Sequence, residues 1–199
     1  MVAVITGDII ASKQGEKAVW HEQLQSGLSK FGQQPHDWDI YRGDSFQLAV
    51  AADQAFYACL YLKACLRALK LYDVRIAIGI AEQKAYSGMV KEADGPAFYR
   101  SGEAFDAIKK QRLVIKTTQP NWDEKMNLMF KLAMLTADQW SPVVAETIKI
   151  TLENLDKSQV ELAALLQKSQ SVISETLKRG GFDEMLALDR YFRKEISTL

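Results

Sequence analysis

The sequence predicts an α+β fold in which a region of alternating strands and helices is followed by helices alone. Up to Thr117, strand-like and helix-like patterns alternate in the order β-α-β-β-α-β-α-β. From Pro120 onward, no strand-like run of any length remains. We therefore predict an α+β domain at residues 1–119 and a helical domain at residues 120–199.

The N-terminal elements are short apolar runs separated by turn residues. Residues 2–7 form a strand-like run, and residues 14–31 carry an incomplete helical stripe of apolar side chains. A Gly43-Asp44 step separates two further strand-like runs, at residues 39–43 and 46–51. Such a step between strands predicts a tight hairpin.

The following elements complete the pattern of a split βαβ fold. The helix predicted at residues 53–71 is apolar on most sides, so we expect a sheet to cover it. Residues 73–81 alternate as a strand does, and a loop at residues 87–96 leads to a helix at 97–111 and a strand at 112–117. The opening β-α-β-β-α-β order is that of the ferredoxin-like motif. We therefore expect four or five antiparallel strands with helices on one face.

Composition limits the compartment and the partners. The chain has 199 residues and a formal net charge of zero, so any DNA contact requires a local basic patch. Cys59 and Cys65 are six residues apart on one predicted helix, too far for a disulfide, which indicates buried thiols. The first strand is too short to cross a membrane and has no charged leader, so we expect a cytoplasmic protein without a membrane partner.

Two acidic residues, Asp8 and Asp44, stand at the predicted end of the first strand and in the predicted hairpin. If the hairpin lies beside that strand, both carboxylates project from one sheet edge and repel each other unless a cation lies between them. Carboxylate oxygens favour Mg²⁺ or Mn²⁺, so the pair indicates a two-metal phosphoryl-transfer site. Ordinary turn chemistry also explains each aspartate separately. Ser12 follows closely enough to line the same pocket.

Residues 157–179 carry the strongest single pattern in the chain. Apolar residues recur at helical spacing in two short segments, the first with Val160, Leu162, Ala163 and Leu166 and the second with Val172, Ile173 and Leu177. Ser169 is placed to cap the second helix, and the small Ala163 permits a close crossing, which predicts a helix-turn-helix. Gln167 stands where such motifs commonly have a turn glycine, so it must either adopt a left-handed conformation or alter the turn.

A DNA-binding helix-turn-helix places its second helix in the major groove, with the early residues facing base edges. The residues that we predict to contact double-stranded DNA are Lys168, Ser169, Gln170, Ser171, Ser174, Lys178 and Arg179. From Ser141 to the end, eight lysine and arginine residues stand against nine acids, although residues 168–179 alone carry a net charge of +2. We expect a homodimer, because one weak module rarely suffices. The alternative is a helical hairpin used only for packing or dimerisation.

Three segments are similar to the catalytic core of class III nucleotidyl cyclases: Ile-Thr-Gly-Asp-Ile-Ile at 5–10, Tyr-Arg-Gly-Asp-Ser-Phe at 41–46 and Arg-Ile-Ala-Ile-Gly-Ile-Ala at 75–81. The resemblance implies that Asp8, Asp44 and the Ile9 carbonyl are metal ligands. The family places an Asn and, four residues on, an Arg on the helix after the fourth strand; this helix has no Asn, and only Lys109 or Lys110 can replace the Arg. The candidate catalytic residues are thus Asp8, Asp44 and Lys109, and the candidate nucleotide contacts are Arg42, Ser45, Arg100 and Lys110.

The opening Val-Ile-Thr-Gly-Asp-Ile-Ile-Ala-Ser, combined with a helix-turn-helix tail, resembles the SatD-like family of small bacterial proteins. We therefore predict a DNA-binding transcription regulator whose cyclase-like domain senses a nucleotide or a divalent metal. One alternative is a Mg²⁺- or Mn²⁺-dependent nucleotidyl cyclase or phosphohydrolase that uses Asp8 and Asp44. Another is a catalytically inactive dimerisation scaffold.

Overall fold

A computed structural model describes residues 1–82 and 88–199, which form five strands and eight α-helices. The strands are β1 (Val2–Ile10), β2 (Trp38–Tyr41), β3 (Ser45–Ala51), β4 (Asp73–Ala81) and β5 (Leu113–Lys116). The helices are α1 (Lys17–Ser29), α2 (Ala55–Arg67), α3 (Pro96–Ala107), α4 (Pro120–Ala137), α5 (Pro142–Glu153), α6 (Gln159–Leu165), α7 (Gln170–Arg179) and α8 (Phe182–Ile196). The predicted order of strands and helices is confirmed. The predicted loop at 87–96 begins at Ser87, which lies outside the described residues.

The five strands form one mixed sheet in the order β2-β3-β1-β4-β5. β1 lies at the centre and pairs antiparallel with β3 and with β4, and β2 pairs antiparallel with β3. β5 runs parallel to β4, because α3 carries the chain back to the starting end of the sheet before β5 begins. The expectation of a fully antiparallel sheet is therefore wrong for its last strand.

Helices cover both faces of the sheet, so the expectation that they lie on one face is wrong. On one face, Ile5 and Ile78 belong to the main core together with residues of α1 and α2. On the other face, Thr6 of β1 hydrogen-bonds Ser101 of α3, with 2.9 Å between the two hydroxyl oxygens. The small residues of β4 explain the second layer, since any side chain at Gly79 would collide with the backbone of α3.

Several elements end at other residues than predicted. β1 continues to Ile10, so Asp8 lies inside a strand and pairs with residues of both neighbouring strands. The first three helices are shorter than predicted, and α3 ends at Ala107. Lys109 and Lys110 therefore lie in the loop between α3 and β5, and the prediction that they continue the helix is wrong.

The C-terminal helices share one hydrophobic core with the sheet. The Tyr57 hydroxyl of α2 donates to the Leu152 carbonyl of α5 at 2.7 Å. The buried Lys63 ammonium contacts Asp73 at 2.9 Å and Asp138 at 2.6 Å, which joins α2, β4 and the end of α4. A change of secondary structure thus marks residue 120, while the division into two domains stays a prediction. Within the described residues, every helix is too short or too polar to span a lipid bilayer.

Candidate functional site

Asp8 is held by an arginine that the sequence reasoning did not single out. Asp8 and Arg75 face each other across the β1–β4 pair. Arg75 donates from Nε to Oδ1 at 3.1 Å and from Nη2 to Oδ2 at 2.5 Å, and its guanidinium lies over the Phe105 ring, 4.9 Å from the centroid. The hydrogen bond to Asp8 raises the pKa of the Arg75 guanidinium. A cation therefore already neutralises the Asp8 carboxylate.

Asp44 is held at the junction of two turns. Its side chain accepts a hydrogen bond from the Ser12 hydroxyl, and its carbonyl accepts one from the Ile9 N–H at 3.1 Å. Ala11 and Arg42, one in each turn, have left-handed backbones with φ of 64° and 49°. Non-glycine residues in this conformation are strained, and such strain is concentrated at functional sites. Ser12 therefore contacts one of the two aspartates, Asp44, while a pocket that it shares with Asp8 stays a prediction.

The two aspartates have different partners. The register places Asp8 opposite Ser45, whereas Asp44 is bonded to the backbone of Ile9, one residue further along β1. Successive side chains of a strand point to opposite faces, so the side chains of Asp8 and Ile9 lie on opposite faces of β1. In the part of the chain that is described, no group of three or more His, Cys, Asp and Glu side chains is arranged to hold a metal ion. Metal binding by Asp8, Ile9 and Asp44 stays a prediction, and a cation there would compete with Arg75 for the Asp8 carboxylate.

A cleft of about 200 Å³ lies beside Asp44 and is rich in cations. It is lined by Ser12, Lys13, Lys17, Trp20, Arg42, Gly43 and Asp44. The ion pairs of the described residues involve other side chains, so its three cations have only Asp44 as an acidic neighbour in the lining. Trp20 is 2% exposed, and its indole N–H is buried without an acceptor. A bound anion would neutralise the three cations of the cleft.

Of the other candidate catalytic and nucleotide-contact residues, only Arg42 lines the Asp44 cleft. Arg100 donates from Nη1 to the Ile80 carbonyl at 2.6 Å, and Ile80 pairs with Ala3. Ala3 is five residues from Asp8, about 17 Å along the strand, so Arg100 is not brought to the Asp44 cleft. Lys109 and Lys110 line a separate cleft beside α4. Arg42 is in the Asp44 cleft, and Ser45 lies beside Asp8.

Sequence reasoning missed three residues of the cleft and the partner of Asp8. Lys13, Lys17 and Trp20 follow Asp8 closely in the sequence, but only the position of α1 shows that they face the hairpin. The signal for Arg75 was its alternating position in the fourth strand, which the β1–β4 register sets opposite Asp8.

The C-terminal helical hairpin α6–α7 has well-defined caps. The Ser158 hydroxyl and the Glu161 carboxylate form a capping box at the start of α6. At the start of α7, the Ser169 side chain accepts from the Val172 N–H, which confirms the predicted cap. Between the helices, Gln167 takes a left-handed backbone with φ of 53°. Of the two outcomes predicted for Gln167, the strained left-handed one is therefore observed.

α7 presents a polar face to solvent. Its inner side is formed by the buried Ile173, Thr176 and Leu177. The outer side carries Ser171, Ser174, Glu175 and Lys178, with Gln170 and Arg179 on its flanks, and all of them are exposed except the half-buried Ser174. Val172 belongs to the apolar stripe that helical spacing predicts to be buried with Ile173 and Leu177, but it is 43% exposed, and Val160 on the apolar face of α6 is 66% exposed. α7 rests on α5, α6 and α8, and these neighbours leave both valines at the rim.

The C-terminal end of α7 is hydrogen-bonded to the rest of the molecule through Trp140. The Trp140 indole N–H donates to the Gly180 carbonyl at 2.9 Å, directly after α7. Arg67 of α2 donates from Nε to the Trp140 carbonyl at 3.1 Å. A polar chain thus connects α2, under the sheet, to the end of α7.

Comparison with family models, with curated proteins and with solved structures finds no match for this chain. Its function is therefore argued from the geometry of these two sites.

Proposed function

We propose that this chain binds double-stranded DNA through α7 and acts as a transcription regulator. The observation that carries the proposal is the division of α7 into a packed side and an outer side of hydrogen-bonding and cationic residues. Side chains of this kind contact base edges and phosphates when a helix lies in the major groove. In this proposal α6 and α7 are a helix-turn-helix, and a homodimer presents two copies of α7 to the duplex.

The charge on the outer side of α7 determines the affinity that we expect for DNA. Lys168, Lys178 and Arg179 are exposed, whereas Glu175 lies on the same side and repels phosphate. Phosphate neutralisation supplies most non-specific affinity, so three cations per copy support weak, salt-sensitive binding. The substitution Glu175→Gln removes this negative charge and is expected to strengthen DNA binding.

Binding is tested with a fluorescently labelled duplex pool and anisotropy at low salt. We expect the double substitution Lys178→Glu and Arg179→Glu to abolish binding. The matched control is Arg190→Glu with Lys194→Glu, which makes the same charge change at exposed positions of α8. Equal loss in both variants would indicate a general effect of net charge, and unchanged binding in the α7 variant would reject the proposal.

The sheet half is proposed to bind a phosphate-bearing ligand such as a nucleotide. The four strands β2-β3-β1-β4 are antiparallel throughout, which supports a ferredoxin-like core of the kind that the cyclase resemblance implies. The Asp44 cleft supports a phosphate group, because Lys13, Lys17 and Arg42 line it.

Ligand binding is tested with ATP and with inorganic pyrophosphate, each with and without Mg²⁺. We expect Lys17→Ala and Arg42→Ala to weaken binding, with Lys131→Ala, an exposed lysine of α4, as the control. The enzyme alternative is favoured if Mg²⁺ or Mn²⁺ supports turnover of a nucleoside triphosphate that disappears in Asp8→Ala. The scaffold alternative is favoured if neither DNA nor phosphate compounds bind.

A further inference from the structure

A second surface lies along α4, and none of its residues lines the Asp44 cleft. Three leucines of α4 point to solvent at the spacing i, i+4, i+7: Leu128, Leu132 and Leu135 are 57%, 58% and 67% exposed. Monomeric soluble proteins rarely place large apolar side chains in such a continuous stripe. The exposed stripe therefore indicates that another molecule covers this surface.

Leu128 and Leu135 border a groove between α4 and β5, whereas Leu132 lines a separate cleft that also contains Lys178 and Arg179 of α7. Two clefts of about 600 Å³ and 440 Å³ follow one another along this flank, and Gln111, Leu113 and Lys131 line both. The floor is apolar, with Leu113 and Met134 4% and 6% exposed. The lining of α4 runs from Pro120 to Asp138, about 27 Å at 1.5 Å per residue. A groove of this length and polarity fits an amphipathic helix of four to five turns.

The outer edge of β5 is poorly suited to pair with a strand of a partner protein, which favours a helix as the ligand of the groove. The Asn127 side chain donates to the Ile115 carbonyl at 2.9 Å and accepts from the Ile115 N–H at 2.8 Å. Asp123 accepts from the Thr117 N–H at 3.0 Å. These side chains occupy the outer edge of β5, so an added strand would find few free backbone groups. A helix satisfies its own backbone hydrogen bonds and therefore needs none of these backbone groups.

The groove is lined by five cations, of which Lys116 is paired with Glu103 and the other four define the charge of this surface. Lys109, Lys110 and Arg112 line one end of the groove, and Lys131 lines its middle. The ion pairs of the described residues involve other lysines and arginines. Among the acids in the lining, Asp138 contacts Lys63 and Asp123 is bonded to Thr117, which leaves Glu124 at the opposite end. Acidic residues of a partner would complement the Lys109 end.

We infer that the groove between α4 and β5 is a docking site for an acidic amphipathic helix of a partner protein. Leucine-type anchors of the partner pack against Leu128 and Leu135, and its acidic residues lie over Lys109, Lys110 and Arg112. A second copy using the same groove would bring the same four cations together. Duplex DNA would leave the leucines unburied, and a flat bilayer would not reach the recessed Leu113. The inference does not depend on DNA binding by α7.

The test uses two sixteen-residue helical peptides with leucines at i, i+4 and i+7, one carrying glutamates at its polar positions and the other lysines. Titration calorimetry of the full chain is expected to detect binding of the glutamate peptide alone. The variants Leu128→Ser with Leu135→Ser, and Lys109→Glu with Lys110→Glu, are each expected to weaken it by roughly tenfold or more. All four positions are exposed, so the variants are expected to fold, which circular dichroism checks.

Matched controls change exposed residues elsewhere: Val143→Ser for the apolar change and Lys194→Glu for the charge change. Equal binding of both peptides, or no binding of either, would overturn the inference. It would also be overturned if the leucine variant converted a dimer to a monomer in sedimentation, which would assign the stripe to a second copy. Co-flotation with anionic vesicles, or duplex binding that the Lys109 and Lys110 changes abolish, would assign the surface to a membrane or to DNA instead.

Discussion

The salt dependence of DNA binding follows from the number of cations on and beside α7. Three exposed cations, Lys168, Lys178 and Arg179, can each neutralise one phosphate per bound copy. Each neutralised phosphate contributes about 0.9 to the slope of log affinity against log salt, so the expected slope is about −2.7 for one copy of α7 and about −5.4 for the homodimer. A fourfold rise in salt then weakens binding by about 40-fold for one copy and by about 1,800-fold for the homodimer.

Removing two of these cations gives a quantitative contrast. In Lys178→Ala with Arg179→Ala, one cation remains per copy, so the slope falls to about −0.9 for one copy and about −1.8 for the homodimer. The same rise in salt then weakens binding by only about 3.5-fold and about 12-fold, respectively. Anisotropy titrations of a labelled duplex at several salt concentrations measure both slopes. The neutral variant Ser171→Ala is the control, because it alters a base contact and leaves the slope unchanged. A slope that stays the same after removal of both cations would refute the assignment of phosphate contacts to α7.

Three further predictions concern groups buried in the core. Lys63→Ala leaves Asp73 and Asp138 without their cation and is expected to cost about 3–5 kcal/mol in urea unfolding, whereas the same loss at exposed Lys194 should have little effect. Burial raises the pKa of Asp189, so the folded protein binds a proton there at a higher pH than the unfolded chain does. The free energy of unfolding of the wild type should therefore rise relative to that of Asp189→Asn as the pH falls from neutral through the raised pKa. An identical pH dependence of the two proteins would contradict this. Burial raises the pKa of the Cys65 thiol to about 12, so a thiol reagent at neutral pH should modify Cys65 only after unfolding, and rapid labelling of the native protein would contradict its burial.

The order of the elements could be predicted because it depends on local pattern. Alternating apolar residues identified the strands, and turn residues identified the hairpin at Gly43. The end of β1 could not be predicted, since the charge of Asp8 suggested a strand end while its partner Arg75 is 67 positions away in sequence. The second helical layer was missed for a similar reason: the small side chains of β4 permit it only when α3 crosses at Gly79.

The candidate sites were predictable to different extents. The caps and the turn of the α6–α7 hairpin follow from Ser169 and Gln167, which are local signals. The exposure of Val160 and Val172 depends on where α5 and α8 lie, so helical periodicity alone could not give it. The cations of the Asp44 cleft converge from two turns and α1, and only the tertiary arrangement of these elements brings them together.

The central claim, that α7 reads double-stranded DNA, is tested most directly by selecting preferred duplexes from a random pool. The wild type is expected to enrich a defined sequence motif, and substitution of Gln170 and Ser171 by Ala should erase or change that motif while weak binding to other duplexes persists. A pool that remains random after repeated selection, or a motif that these substitutions leave unchanged, would contradict the claim.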